Sequence, residues 1–99
     1  MRVLSKPAII QFCEKHTAAS GPLLAWYKLA MKCKASDLES LKETFGSVDY
    51  VQPKQYVFDV GGNNYRVITG IDFVRQKMFI LHIYTHEEYD EWTRKNRGK

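Results

Sequence analysis

Residues 56–73 read "YVFDVGGNNYRVITGIDF", and this stretch decides the fold. Tyr56, Phe58 and Val60 alternate with Val57 and Asp59, the period of two expected of a strand with two unlike faces. Gly61, Gly62, Asn63 and Asn64 follow, residue types that tolerate positive φ and so reverse the chain. Beyond the turn, Tyr65, Val67, Thr69, Ile71 and Phe73 form one parity class of a second strand. Arg66, Ile68, Gly70 and Asp72 form the other. Strands joined by so short a loop pair antiparallel, and this hairpin seeds a sheet.

The pattern extends in both directions. "VRQK" at 74–77 turns the chain into a third strand over 78–84, with Phe79, Leu81 and Ile83 on one face and Ile80, His82 and Tyr84 on the other. "RVL" at 2–4 is a further short strand-like run. Between it and the hairpin the apolar period becomes helical. Ser5 stands as a helix cap with Lys6 or Pro7 in the first turn. Ile9, Phe12, Cys13 and His16 share one helical face, and His16 closes that helix, where a cation suits the negative end. "SGP" at 20–22 opens a second helix with Leu23, Trp26, Tyr27, Ala30 and Met31 on its apolar side. Trp26 and Tyr27 read as core rather than as a stacking platform. Ser36 with Glu39 forms a capping box for a short helix carrying Leu38, Leu41 and Phe45, which Gly46 stops. Helices before an antiparallel meander and one helix after it define an α+β class. Residues 1–99 form a single domain, with helices on one sheet face and the other face partly open.

Ninety-nine residues, 44% hydrophobic, suffice for one core. No apolar run approaches the ~20 residues that span a bilayer, and the first residues lack signal-peptide features, so a cytoplasmic protein without membrane attachment is expected. Cys13 and Cys33 read as buried thiols of a reducing compartment. No Cys/His spacing fits zinc, and neither metal nor cofactor is expected. A net charge of +4 permits a polyanionic partner without requiring one. The acids cluster at Glu87, Glu88, Asp90 and Glu91, whereas "RKNRGK" at 94–99 carries none.

That acidic cluster lies in "YTHEEYDEW", residues 84–92. Thr85 and Glu88 form a capping box, which is the structural reading of the glutamates. His86 then opens the last helix, and Tyr89 and Asp90, at i+3 and i+4, share its side. Tyr84 marks the strand's exit. The segment is either a capped helix whose Tyr89 packs and whose Asp90 orients His86 or pairs with Arg94, or a rigid support aiming proton-active groups at a substrate. Arg66 points to the open face if Tyr65, Val67 and Thr69 face the helices. There it binds phosphate through its planar fork or pairs with Asp59 or Asp72. His82, of Tyr84's parity, is a supporting candidate.

Together, "YVFDVGGNNYRVITGIDF" and "IYTHEEYDEW" resemble the HigB family of bacterial toxin–antitoxin toxins, within the RelE-like superfamily. The similarity covers nearly the whole chain and rests on a hairpin of form YVF-x-VGGN-x-YR followed by TH-x-EYD. It implies helices packed on a curved antiparallel sheet. It implies a ribosome-dependent, metal-independent endoribonuclease, an mRNA interferase that cuts translated mRNA in the A site. It further implies a HigA-type helix-turn-helix antitoxin as partner, with operator DNA bound only through that antitoxin. Arg66 matches the superfamily's strand arginine, and Thr85, His86, Glu88, Tyr89 and Asp90 match TH-x-EYD. RelE carries two lysines on the strand before its hairpin. Val57 and Asp59 stand there instead, which shifts proton transfer to histidine and tyrosine.

On this resemblance His86 is general base or acid, Tyr89 transfers a proton or orients the 2′-hydroxyl, and Arg66 stabilises the transition-state charge. Tyr84 stacks on a base or bonds the RNA backbone, with Asp90 and His82 in support. Lys54, Arg75, Lys77, Arg94 and Lys95 contact mRNA or ribosomal RNA phosphates, or are plain solvated charges. Two other classes stay open. A ParE-like toxin acts on a protein target and does not need the His86/Tyr89 pair. A non-catalytic RNA-binding module binds with strong salt dependence and cuts nothing.

Overall fold

The computed structural model describes residues 1–62 and 64–97. Asn63 of the turn and Lys99 of the basic tail lie outside the described residues. In chain order the elements are β1 (Arg2–Leu4), α1 (Lys6–Lys15), α2 (Ser20–Lys32), α3 (Leu38–Thr44), β2 (Asp49–Val51), β3 (Gln55–Val60), β4 (Tyr65–Asp72), β5 (Lys77–Thr85) and α4 (His86–Arg97). A 3-10 turn, Thr17–Ala19, joins α1 to α2.

The sheet runs β1-β5-β4-β3-β2. Strands β3 to β5 form the expected antiparallel meander. Two additions were not foreseen: β2 lengthens the meander, and β1 joins β5 in parallel, so the sheet is mixed. Gly61 and Gly62 hold φ of 63° and 69° in the β3–β4 connection. A side chain at Gly61 would place Cβ 3.2 Å from the Tyr65 ring and 3.4 Å from Pro22, so this turn needs glycine for space as well as for conformation.

The apolar parity of the hairpin faces the N-terminal helices. Phe58, Val60, Val67, Met78 and Ile80 meet Ile9, Leu23, Trp26, Ala30 and Leu41 in one core. Phe58, 1% exposed, lies at its centre, with the Trp26 ring at 5.3 Å and the Phe45 ring at 4.9 Å, both edge-on. Cys33 is buried and Cys13 half-buried, both as free thiols. The opposite face carries Val51, Val57 and Ile68, and α4 crosses it by packing Tyr89 and Trp92 against them beside Tyr84. Helix α4 thus covers part of the face expected to be partly open.

Caps follow the sequence signals unevenly. The Thr85–Glu88 box forms as read: Thr85 N–H donates to Glu88 Oε1 at 2.9 Å and Glu88 N–H to Thr85 Oγ1 at 3.3 Å. The α3 box is displaced by one residue. Asp37, not Ser36, is the cap, and it accepts from Ser40 N–H at 2.8 Å while Ser40 Oγ accepts from the Asp37 N–H at 3.2 Å. A carboxylate placed where the helical N–H groups converge takes the role from the hydroxyl beside it. Ser5 precedes α1 but makes no side-chain cap. Its φ is 74°, and the left-handed bend swings the chain from β1 into the helix.

Strand β5 departs most from simple alternation. Ile68 pairs with His82 but Thr69 with Ile80, which leaves Leu81 as an extra residue. Such a bulge exchanges the two faces of a strand across it. Met78 and Ile80 therefore face the N-terminal helices before Leu81, and Ile83 does so after it. Grouping Ile80 with His82 and Tyr84, and Phe79 and Leu81 with Ile83, fails for this reason. His82 and Tyr84 are turned onto the α4 side, with Tyr84 directly opposite Arg66.

Candidate active site

The site begins with the hairpin register. Asp59, Arg66 and Tyr84 lie side by side across β3, β4 and β5. Arg66, 9% exposed, keeps its charge on the α4 face because Asp59 meets it there: Nε is 3.0 Å from Asp59 Oδ1. Of the alternatives for Arg66, the pair with Asp59 forms, and Asp72 lies instead 3.9 Å from Arg75. The Arg66 Nη1 donates to the Tyr65 carbonyl at 3.1 Å. From above, the Tyr89 ring covers the guanidinium, its centroid 5.5 Å from Cζ, within cation–π range.

Helix α4 is aimed by its first turn. The His86 N–H donates to the Asn64 carbonyl at 2.9 Å, tying the helix mouth to the hairpin loop. One turn on, Tyr89 and Trp92 stack at 5.8 Å, and Trp92 reaches Tyr84 at 6.4 Å. Tyr84 stacks on His82, ring centroids 5.2 Å apart and planes within 9°. Burial, and secondarily the Glu88 carboxylate, raise the Tyr84 phenol above the ordinary tyrosine value. It is therefore a proton-bearing group at neutral pH.

Arg66, Tyr89 and Asp59 line one cleft of about 310 Å³, closed on the other side by Gly46, Ser47, Val48 and Asp49. His86 is on the same helix but lines a separate depression with His16, Asn64, Tyr65, Thr85 and Glu87. Its Nε2 is 3.3 Å from Asp90 Oδ2, so Asp90 orients His86. A third depression, beside the C-terminal half of α1, takes in His16, His82, Tyr84 and Glu88. Arg66 and Tyr89 thus share a cleft, Tyr84 adjoins Arg66 in the sheet, and His86 opens α4 but lines a different depression.

The expected RNA-contact bases divide. Lys54 lies in the β2–β3 turn, its N–H on the Tyr50 hydroxyl at 3.0 Å. Arg75 lies in the β4–β5 turn and Lys77 opens β5. Meander turns alternate ends, so these three sit away from the hairpin end that carries Arg66 and His86. Arg94 and Lys95 ride on α4, with Lys95 3.6 Å from Glu91. Among the described residues, no group of three or more His, Cys, Asp or Glu side chains is placed to hold a metal ion. No described helix is long and apolar enough to cross a membrane.

Two sets of residues in the site escaped the sequence reading. Trp92, at i+3 from Tyr89, had a legible helical signal. Ser47 and Asp49 come from the α3–β2 connection, and nothing in their local pattern marks them as a cleft wall.

The α+β fold is that of a small RelE-like toxin: residues 19–92 match the family model of the HigB toxin, described as the RelE-like toxic component of a toxin–antitoxin system. A protein of Escherichia coli K12 named mRNA interferase toxin HigB is 36% identical, over 100% of this chain and 97% of its own length. One from E. coli O6:H1, named mRNA interferase HigB, is 35% identical over 95% of this chain and 93% of its own. A third, from Shigella flexneri and of the same name, is 36% identical over the full chain. The chain belongs to the HigB toxin family.

Proposed function

We propose that this toxin is an endoribonuclease that cuts translated mRNA at the ribosomal A site, with Arg66, Tyr89 and His86 as its reacting groups. The observation carrying this reading is the Arg66 guanidinium, held by Asp59 and roofed by the Tyr89 ring in one cleft of a chain related to mRNA interferases. The RNA supplies its own nucleophile. The 2′-hydroxyl oxygen attacks the adjacent phosphorus, its proton passes to a base, and the P–O5′ bond breaks. The leaving 5′-oxygen takes a proton from an acid, leaving a 2′,3′-cyclic phosphate. His86 and Tyr89 divide the two proton transfers, with Asp90 fixing the imidazole. A positioned acid–base pair is worth roughly 10²–10⁴-fold. Arg66 meets the negative charge that grows on the phosphoryl oxygens. Tyr84, protonated and flat, donates a hydrogen bond or stacks on a base, and His82 backs its ring.

Arg94 and Lys95 continue the site along α4. Lys54, Arg75 and Lys77 contact ribosomal RNA at the far end of the sheet. The antitoxin is a HigA-type helix-turn-helix protein, through which operator DNA is bound. The test is controlled expression followed by primer extension on translated mRNA. Cuts linked to codons, lost in Arg66→Ala and His86→Gln with the fold intact, are expected. Full cutting by both variants removes the site. DNA damage without mRNA loss replaces the reading with a toxin that acts on a protein.

A further inference from the structure

We infer that Asp59 is a positioning residue for the cleavage reaction: it fixes the Arg66 guanidinium in the plane from which that group meets the scissile phosphate. The inference rests on the nuclease reading and adds a residue to it.

The cleft has a charge problem. Among the described residues its lining holds one cation, Arg66, and two carboxylates, Asp49 and Asp59. A pocket built only to attract a polyanion would not carry that balance, because a carboxylate beside the guanidinium weakens phosphate binding at every step. Asp59 nevertheless sits directly opposite Arg66 in the hairpin register, and its Oδ1 accepts from Nε at 3.0 Å. The Arg66 Nη1 is tied to the Tyr65 carbonyl at 3.1 Å. Two bonds to different atoms of one planar group fix its plane and rotation, and the Tyr89 ring at 5.5 Å sets its depth. An arginine on a long stem otherwise samples many rotamers and must be ordered at each turnover. A guanidinium has five N–H donors, so serving a resident carboxylate does not disqualify it from serving a substrate.

The resident carboxylate therefore trades ground-state affinity for orientation. Preorganised charge acts on the transition state, where the phosphoryl charge is greatest. The residue's signature lies in kcat rather than in KM.

The experiment measures kcat and KM separately for ribosome-bound mRNA, using wild-type protein, Asp59→Asn, Asp59→Ala and Asp59→Glu. We expect the Asn and Ala variants to lose roughly tenfold or more in kcat, with KM unchanged or lower. Glu restores part of the rate. In the unaltered protein, the Arg66 Nε–H should appear by nitrogen-15 NMR as a resonance in slow exchange with solvent. A folded Asn variant with wild-type kcat overturns the inference. So does a change confined to KM, in either direction, which marks Asp59 as a mere repulsive charge. If the Asn and Ala variants do not fold, the NMR signal and the Glu variant decide: a fast-exchanging Nε–H, or a Glu variant whose kcat equals the wild type while its Nε–H exchanges freely, overturns it. Full cleavage by Arg66→Ala removes the nuclease site itself. Loss in Arg66→Ala with an unimpaired Asp59→Asn removes only the role of Asp59.

Discussion

Arg66 is a buried charge whose surroundings specify its use. Replacing it by alanine removes the guanidinium and strips Asp59 of its partner. We expect a rate loss of about 10²–10³-fold, the scale of a lost transition-state donor, measured by single-turnover cleavage. Arg66→Lys should recover little, since an ammonium lacks the planar fork. The alternation in "YRVI" puts Arg66 on the face opposite Tyr65, Val67 and Thr69, and Asp59 is one of its two candidate partners in the sequence. What alternation does not encode is which of two aspartates wins; that depends on strand register. Tyr84 offers a test in pH. Its folded-state phenol titrates above the ordinary value because of burial and Glu88, and Tyr56 shifts the same way through burial and Tyr50. The folded chain keeps protons that the unfolded chain releases. Stability is therefore full below about pH 10 and falls as pH rises through the folded-state titration. Urea midpoints between neutral and alkaline pH should show the fall, and Tyr84→Phe should flatten it. A midpoint that climbs with pH would contradict the assignment.

At the scale of elements, caps and the bulge matter most. Thr85 and Glu88 hold the start of α4, from which His86, Tyr89 and Asp90 project. Thr85→Ala should cost about 1 kcal/mol of stability and lower cleavage as well, because the helix start is also the support of the reacting groups. Equilibrium unfolding and kinetics on one preparation separate the two effects. The cap at Thr85 was legible because its partner lies three residues away. The cap at Asp37 was missed because two good capping residues stand side by side, and only the chain's entry angle chooses between them. The β5 bulge was illegible for a different reason. Phe79, Leu81 and Ile83 are apolar, and so is Ile80, so hydrophobicity carries no mark of where the faces exchange. Deleting Leu81 should make Ile80 and His82 consecutive in the ladder, so that Ile80 and Ile83 still face the N-terminal helices and His82 and Tyr84 still face α4. The expected outcome is a folded chain that still cuts; an unfolded or inactive deletion variant would show that the bulge does more than keep the two faces in register.

Over the whole molecule, the sheet separates two apolar clusters of unequal size. Phe58→Ala opens a cavity in the larger one, at a cost of about 3–5 kcal/mol against a total of about 5–15 for a domain of this kind. Denaturant titration should show that loss, with cleavage falling only as far as the folded fraction does. Trp92→Ala strikes the smaller cluster. Hydrogen exchange in α4 should quicken while α1 and α2 keep their protection, and cutting should fall in protein that is still folded. The α+β class was legible from the change of period near residue 50. The parallel β1 pairing was not, because three residues at the chain's start carry too little pattern to choose a neighbour. This two-sided build has a genetic corollary. Colonies surviving forced expression should sort into two populations when lysates are spun: lesions among the helix-side positions leave the polypeptide in the pellet, whereas lesions along Asp59, Arg66, Tyr84 and Tyr89 leave it abundant, harmless and in the supernatant.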